Sequence, residues 1–513
     1  MTLRVEVPGE KVVSVEPCKC NKQYSKEINT ENKLSRDLKE SLKKIWRLRT
    51  KITVEPFVIC YVLPSVLAGL AVQNMCLEKS CLVNLQYDEE TCRHIMQGRT
   101  QNYTEQEKKV QRMVTTMSSW SSPLQTAPPG ILALFIGAWS DRTGNRKAFM
   151  IVPILGKLIS AIGVMLSAVF FRQVGMNETA LLEGLLPALA GGRVAMTMAV
   201  YSYISDITSE SERTFRIGIV TAVLTLSKPV GLALSGIMTS NFGYKAVFVT
   251  ACFIYMFGFI YILLRIKEKK KKTVDGTKLE CVSLFSLSDL VATVKVGFKA
   301  REGTHRVQVI LILICYMLIV GPLLGEAQLT MLFTRYKHKF TDIDYSLFLA
   351  YSVFVGIIGS FITIYLFSKR WKFEDSMIGV IACFSRILAS IVYAVAPNRT
   401  VYFLGPVLDM FSSAGATSLR SLASKLVDSD EVGKTSSLIS ISEALVPVIY
   451  SPLYGYVYKK TMSTYSGGFY LISTALALPA TVILIILYVL RSKEAREAKR
   501  KQETKKESEI TRF

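Results

Sequence analysis

About twelve apolar runs, each near 20 residues long, follow one another along this chain, at 54–76, 117–139, 149–171, 182–205, 217–240, 246–265, 307–333, 345–367, 376–396, 402–425, 436–458 and 469–490. Twenty residues of helix span about 30 Å, the thickness of a bilayer's hydrocarbon core. Water-soluble domains do not carry such runs in series, so the chain reads as an all-α polytopic membrane protein. The formal net charge of +22 would point to nucleic acid in a soluble chain. Here the largest basic clusters fall in the first 53 residues, in the 265–306 connection and after Arg491. The positive-inside rule places all three, and both termini, in the cytosol. The first apolar run begins only near Val54, so we expect no cleavable signal peptide, with the first helix serving as the targeting signal. Three N-x-[ST] sequons, at Asn102, Asn177 and Asn398, fall in connections that the same topology puts outside, where they are glycosylation acceptors.

Between the second and third runs lies Gly137–Lys147, GAWSDRTGNRK. Asp141 set against Arg142, Arg146 and Lys147, with Gly144 at the turn, resembles the loop between transmembrane helices 2 and 3 of the major facilitator superfamily. The resemblance implies a major facilitator fold of twelve transmembrane helices in two six-helix halves. It also gives Asp141, Gly144, Arg146 and Lys147 a role in conformational gating, pinning helix ends by charge pairs. Internal spacing agrees with a duplication: Asp141 and Ser368 are 227 apart (368 − 141), Lys157 and Arg386 are 229 apart (386 − 157), and Arg193 and Arg420 are 227 apart (420 − 193). We therefore expect a cytosolic arm over 1–53 and an N-terminal bundle over 54–266 with an external loop at 77–116. A cytosolic linker over 267–305, a C-terminal bundle over 306–490 and a basic cytosolic tail over 491–513 follow. Leu38, Leu42 and Ile45 of the arm share one helical face amid basic residues, as in a short amphipathic helix lying on a membrane.

Ionisable groups inside apolar runs are the informative positions, because a charge in hydrocarbon costs several kcal/mol unless it faces protein or water. They are Lys157, Arg193, Lys228, Glu326, Arg386, Asp409, Arg420 and Glu443, five basic and three acidic, a balance that favours anionic substrates. In a six-plus-six transporter helices 1, 4, 7 and 10 line the path and 3, 6, 9 and 12 are peripheral. Arg193 and Arg420 on lining helices, with Lys228 on the fifth helix that flanks the path, are the substrate candidates, and Lys157 and Arg386 are left to snorkel or to make structural pairs. Lys228-Pro229 reads as a broken helix with a charge at the break. The three histidines, His94, His305 and His338, lie outside the runs or at their ends. Any proton carrier is then a carboxyl group, and the candidates are Glu326, Glu443 and Asp409. Glu55-Pro56 opens the first helix as a capping pair.

Cys81 and Cys92 lie in the first external loop, an oxidising location, and we expect them to pair, with Cys76 as the alternative partner for either. No P-loop, HExxH or CxxC pattern occurs, so neither an enzyme, a cofactor, ATP-driven transport nor a metal site is expected.

From 53 to 490 the chain resembles the proton-coupled folate transporter family, solute carrier family 46. The residues that carry the likeness are Val54-Glu-Pro56, Trp139-Ser-Asp-Arg-Thr-Gly-Asn-Arg146, Ser205-Asp206 with Arg213-Thr-Phe-Arg216, and Leu419-Arg-Ser-Leu-Ala-Ser-Lys-Leu426 running into Asp428–Gly433. The resemblance implies transport of organic anions such as folates, muropeptides, cyclic dinucleotides or sulfated steroids. Carry-over is confined to Asp141 and Arg420: the basic residue expected at 145 is Asn145, and the carboxylates of folate-carrying members fall on Gly192 and Thr221. The family's partner cysteine between helices 7 and 8 has no counterpart in 334–344, which keeps the disulfide within the first loop. The expectation is a monomeric secondary transporter working by alternating access. It would carry an organic anion with protons, without nucleic acid, in the plasma or endolysosomal membrane. The alternative is a ligand-binding receptor or scaffold on a transporter fold.

Overall fold

The computed structural model describes residues 53–98, 103–143, 146–208, 210–266, 305–426 and 432–510, and among them every regular element is helical. The arm up to residue 52, the linker up to residue 304, Asn102, Gly144 and the side chain of Asp141 lie outside the described residues.

The N-terminal half begins with α1 (Glu55–Lys79), which carries Pro56 in its first turn and continues as a π-helical turn, Ser80–Asn84. A short helix, α2 (Glu89–Met96), follows, capped by the Asp88 carboxylate, which accepts from Thr91 N at 2.9 Å. The Cys81–Cys92 disulfide staples the turn to α2 across a Cα–Cα distance of 5.8 Å, and Cys76 stays free and buried. The second span lies in α3 (Thr104–Thr143). The stretch read from sequence as an external loop over 77–116 is thus largely helical. Hydropathy finds only apolar helices, and this segment is polar on its outer faces.

The third span is α4 (Ala148–Val169). The fourth is broken into α5 (Met176–Leu189) and α6 (Gly192–Ile207). At the break Gly191 and Gly192 have φ of 81° and 54°, left-handed values that a side chain rarely tolerates. Spans five and six share α7 (Glu210–Arg265), whose non-helical position is Gly243 at φ 74°. The break expected at Lys228-Pro229 is therefore absent: the helix keeps helical dihedrals through Pro229. One missing N–H is tolerated where the surrounding turns are held by neighbours. Here Ser235 donates to Leu67 O of α1 at 2.7 Å and Tyr255 bonds Ser65 at 2.8 Å.

In the C-terminal half the seventh span is α8 (His305–Ala327), and a separate helix, α9 (Leu329–His338), follows Gln328 beyond the apolar stretch Arg306–Ala327. A Thr341–Asp344 capping box starts α10 (Asp342–Ile362), which runs into a π-helical stretch, Thr363–Arg370. The ninth span is α11 (Asp375–Val395). The tenth is broken into α12 (Arg399–Leu408), capped by the exposed Asn398, and α13 (Ser413–Lys425). The last two are α14 (Val432–Thr461) and α15 (Gly468–Ile510), which carries on into the basic tail. Among the described residues, eight stretches are long and apolar enough to cross a membrane by length and composition. The second, fourth and tenth runs fall short because polar residues, prolines or a break interrupt them.

The halves meet where α3 packs on α14 and α7 on α10. At Gly236 of α7 an added Cβ would lie 2.0 Å from the Ser346 hydroxyl, so this close approach needs glycine. Towards the disulfide end, Gln73 Nε2 donates to Gln328 Oε1 (3.2 Å), Arg335 Nη2 to Asn74 Oδ1 (3.1 Å) and Tyr458 OH to Gln111 Oε1 (2.7 Å). Lys339 pairs with Glu107 at 3.3 Å. At the opposite end the pairs Arg146–Asp206 (3.1 Å), Arg216–Glu55 (3.2 Å) and Lys425–Asp375 (2.6 Å) each stay within one half. The halves are thus joined at the disulfide end.

Candidate functional site

Two charged clusters occupy the interior, one in each half. In the N-terminal half a cavity of about 210 Å³ is lined by Tyr61 of α1, Gln125 of α3, Lys157 of α4, Glu183 of α5, Arg193 of α6 and Lys228 of α7. Arg193 reaches it from the first turn after the Gly191–Gly192 break, so the broken span places a cation at the rim. Lys157 and Glu183 attract one another, and the Gln125 amide faces the Glu183 carboxylate in the same cavity. Lys228 shares the cavity with the like charge of Arg193. Among the described residues neither Arg193 nor Lys228 has an ion-pair partner. Two unmatched cations facing one small space leave it electropositive, and a bound anion would relieve their repulsion.

In the C-terminal half the Arg386 guanidinium of α11 forks between two carboxylates, Asp409 at 2.7 Å and Glu326. Asp409 sits at the end of α12, where the tenth span breaks, and Glu326 two residues before the Gln328 break. Ser473 of α15 also donates to Glu326 and bonds Tyr454 OH at 2.8 Å. Glu326 is 5% exposed. Two carboxylates on one guanidinium leave an excess negative charge, and a single proton restores neutrality.

Arg386 makes structural pairs, Lys157 faces Glu183 across the cavity without a close ion pair among the described residues, and neither snorkels. Each lines an interior cavity, Arg386 one of about 190 Å³. The positions are equivalent by repeat: 386 − 157 = 229 and 409 − 183 = 226, so each half sets a cation of its third span and a carboxylate of its fourth in one interior site, in contact only in the C-terminal half. Arg420 and Glu443, assigned from sequence to substrate and proton, instead pair with each other at 2.6 Å, both more than two-fifths exposed. Tyr316 OH accepts from Arg420 at 3.2 and 2.9 Å. Of the gating residues, Arg146 holds Asp206, and Lys147 donates to Leu263 O at 3.0 Å, fastening the ends of α6 and α7.

Sequence reasoning missed Glu183, Gln125, Tyr61, Ser473 and Tyr316. Glu183 was within reach: it is the second residue of the fourth apolar run. The helix starts at Met176, which puts it well inside the span instead of at its edge. The polar hydroxyl and amide partners carry no signal of their own in a single sequence.

Near the disulfide end, His338 is buried with its ring 4.8 Å from that of Tyr402, and its Nε2 has no hydrogen-bond partner. Burial, then the charges of Lys337 and Arg399, lower its pKa to about 4. The unfolded chain binds the proton at about 6.5, so this contribution to stability is full above that pH and is lost as pH falls towards 4. We expect the wild-type melting temperature to drop between pH 7 and pH 5, and His338→Gln to remove part of that drop. An unchanged slope in the variant would show that His338 is not the group responsible.

Residues 112–449 match the family described as Major Facilitator Superfamily. Among curated proteins, the chain is 24% identical over 444 residues to the lysosomal proton-coupled steroid conjugate and bile acid symporter SLC46A3 of Gallus gallus, covering 84% of this chain and 92% of that protein. It is 24% identical over 385 residues to solute carrier family 46 member 2 of Canis lupus familiaris, covering 70% and 78%. The fold is similar to that of the human organic anion transporter MFSD10 (TETRAN), with a TM-score of 0.56 at 15% identity over 84% of this chain and 98% of the other.

Proposed function

The chain belongs to the Major Facilitator Superfamily and, within it, to solute carrier family 46, and from that premise we propose that it carries an organic anion together with a proton by alternating access. The observation that carries this reading is the pair of unmatched cations, Arg193 and Lys228, in one interior cavity. Arg193 and Lys228 hold the anionic group of the substrate. Glu326 and Asp409, sharing Arg386, hold the proton, because their excess charge is buried and one proton cancels it. Arg420 and Glu443 neutralise each other at the cleft wall and contribute less to anion binding.

The disulfide end faces the lumen or the exterior, with both termini cytosolic. There the halves are latched by Arg335, Tyr458 and Lys339, which closes that face in this state of the cycle. Exposed Asn177 and Asn398 face the same side as the disulfide, as glycosylation requires. A steroid conjugate or bile acid, the substrates named for the Gallus gallus relative, is the leading substrate class, with muropeptides and folates next. An endolysosomal membrane is the leading location, by the same relative.

Uptake of a labelled steroid sulfate, a muropeptide and folate into proteoliposomes, with and without an inward proton gradient, tests the reading. The wild type should concentrate at least one of them when the gradient is imposed. Glu326→Gln should abolish the gradient-driven accumulation while anion exchange at equal pH survives. Accumulation unaffected by Glu326→Gln sinks the assignment of the proton. Binding without uptake of any of the three sinks transport in favour of a receptor.

A further inference from the structure

Resting on that reading, we infer that Glu183 links the proton to the anion within the N-terminal cavity itself, by competing with the substrate for the same cations. Glu183 is the carboxylate that shares this cavity with Lys157, Arg193 and Lys228. The titratable groups facing it come from every helix packed around it: Tyr61 and Cys76 of α1, Lys157 of α4, Arg193 of α6, and Lys228 and Tyr255 of α7. Gln125 of α3 completes the ring with its amide. The phenols and the thiol carry no charge near neutral pH, which leaves three cations against one carboxylate.

Ionised, Glu183 offsets the charge of Lys157 across the cavity and also sets a negative charge inside the space the anion must occupy. The substrate then meets two free cations and one repelling carboxylate. A proton on Glu183 changes three things at once. The repulsion disappears, Lys157 becomes a third unmatched cation, and the carboxyl gains an O–H that can donate to an anionic oxygen. Proton and anion therefore favour each other's binding, and linkage makes the effect reciprocal. The C-terminal triad differs in this respect: Arg386 already holds both of its carboxylates, so protonating them leaves the charge around the anion unchanged. Glu183 sets how tightly the anion is held at a given pH. Glu326 and Asp409 set whether the proton gradient drives accumulation.

The test is equilibrium binding of a labelled steroid sulfate to the full-length protein in nanodiscs at pH 7.5 and pH 5.5. Wild-type affinity should rise about tenfold or more on acidification, within the usual range of a coupling between two sites. Glu183→Gln, which retains a partner for Gln125, should bind at both pH values with the affinity of the acidified wild type. If Glu183→Gln does not fold, the double variant Glu183→Gln with Lys157→Met removes both members of the pair and should show the same loss of pH dependence. A Glu183→Gln protein that keeps the wild-type pH dependence overturns the inference and leaves the anion site standing. Failure of the wild type to bind the sulfate at either pH overturns the anion site, and the inference with it.

Discussion

Arg386→Leu is expected to be the most damaging single substitution in the protein. The guanidinium is the shared partner of Glu326 and Asp409, both set in the interior of the C-terminal half. Removing one member of a buried ionic cluster destabilises by about 3–5 kcal/mol, because the remaining charges are left without compensation. Here two carboxylates are stranded, and Ser473 offers Glu326 only a single hydroxyl. Thermal unfolding of purified protein should show a fall in melting temperature large enough to reduce the yield of folded material at 37 °C. Arg386→Lys should recover part of the loss, since an ammonium supplies charge but not a planar fork for two carboxylates. Adding Glu326→Gln and Asp409→Asn to Arg386→Leu should restore more of it, as both stranded charges are then gone. Arg386→Leu melting at the wild-type temperature would show that the triad is not a buried charge cluster.

The second large effect concerns affinity. A hydrogen bond to a charged group contributes about 1.5–3 kcal/mol, so Arg193→Gln and Lys228→Gln should each weaken binding of a steroid sulfate roughly tenfold to 150-fold. The double variant should lose less than the product of the two, because both cations address one anionic group. Arg420→Gln should be mild by comparison: Glu443 and Tyr316 already engage that guanidinium. Equal losses at the three positions, measured by displacement of the labelled sulfate, would contradict the placement of the anion in the N-terminal cavity.

Much of this arrangement is legible from residues alone. Apolar runs near 20 residues admit one solution in a bilayer, so the helical fold and its duplication follow from hydropathy and from the spacing of Lys157, Arg193, Arg386 and Arg420. The charges worth attention follow equally directly, because an ionisable group in hydrocarbon must have a reason to be there. The Cys81–Cys92 pair follows from compartment and loop placement. Less legible were the helix interruptions. A Lys-Pro pair looked like a break and was not, while the breaks at Gly191–Gly192, Gln328 and Asp409–Ser412 fall beside charges of the two clusters. Proline removes one hydrogen bond that packing can absorb, whereas a pair of left-handed glycines ends the helical path.

What the amino-acid sequence by itself determined, then, is the set of helices and the set of charges they must hide. What only the tertiary structure decided is which charges meet. Arg420 and Glu443 come from the tenth and eleventh spans and cancel; Arg386, from a span expected to be peripheral, gathers carboxylates from the seventh and tenth; Glu183 joins three cations from three other helices. Each pairing depends on the rotation and tilt of neighbouring helices. Those are fixed by side-chain packing, such as Gly236 against Ser346, and not by hydropathy, which reports only how deep a residue lies and never which partner it faces.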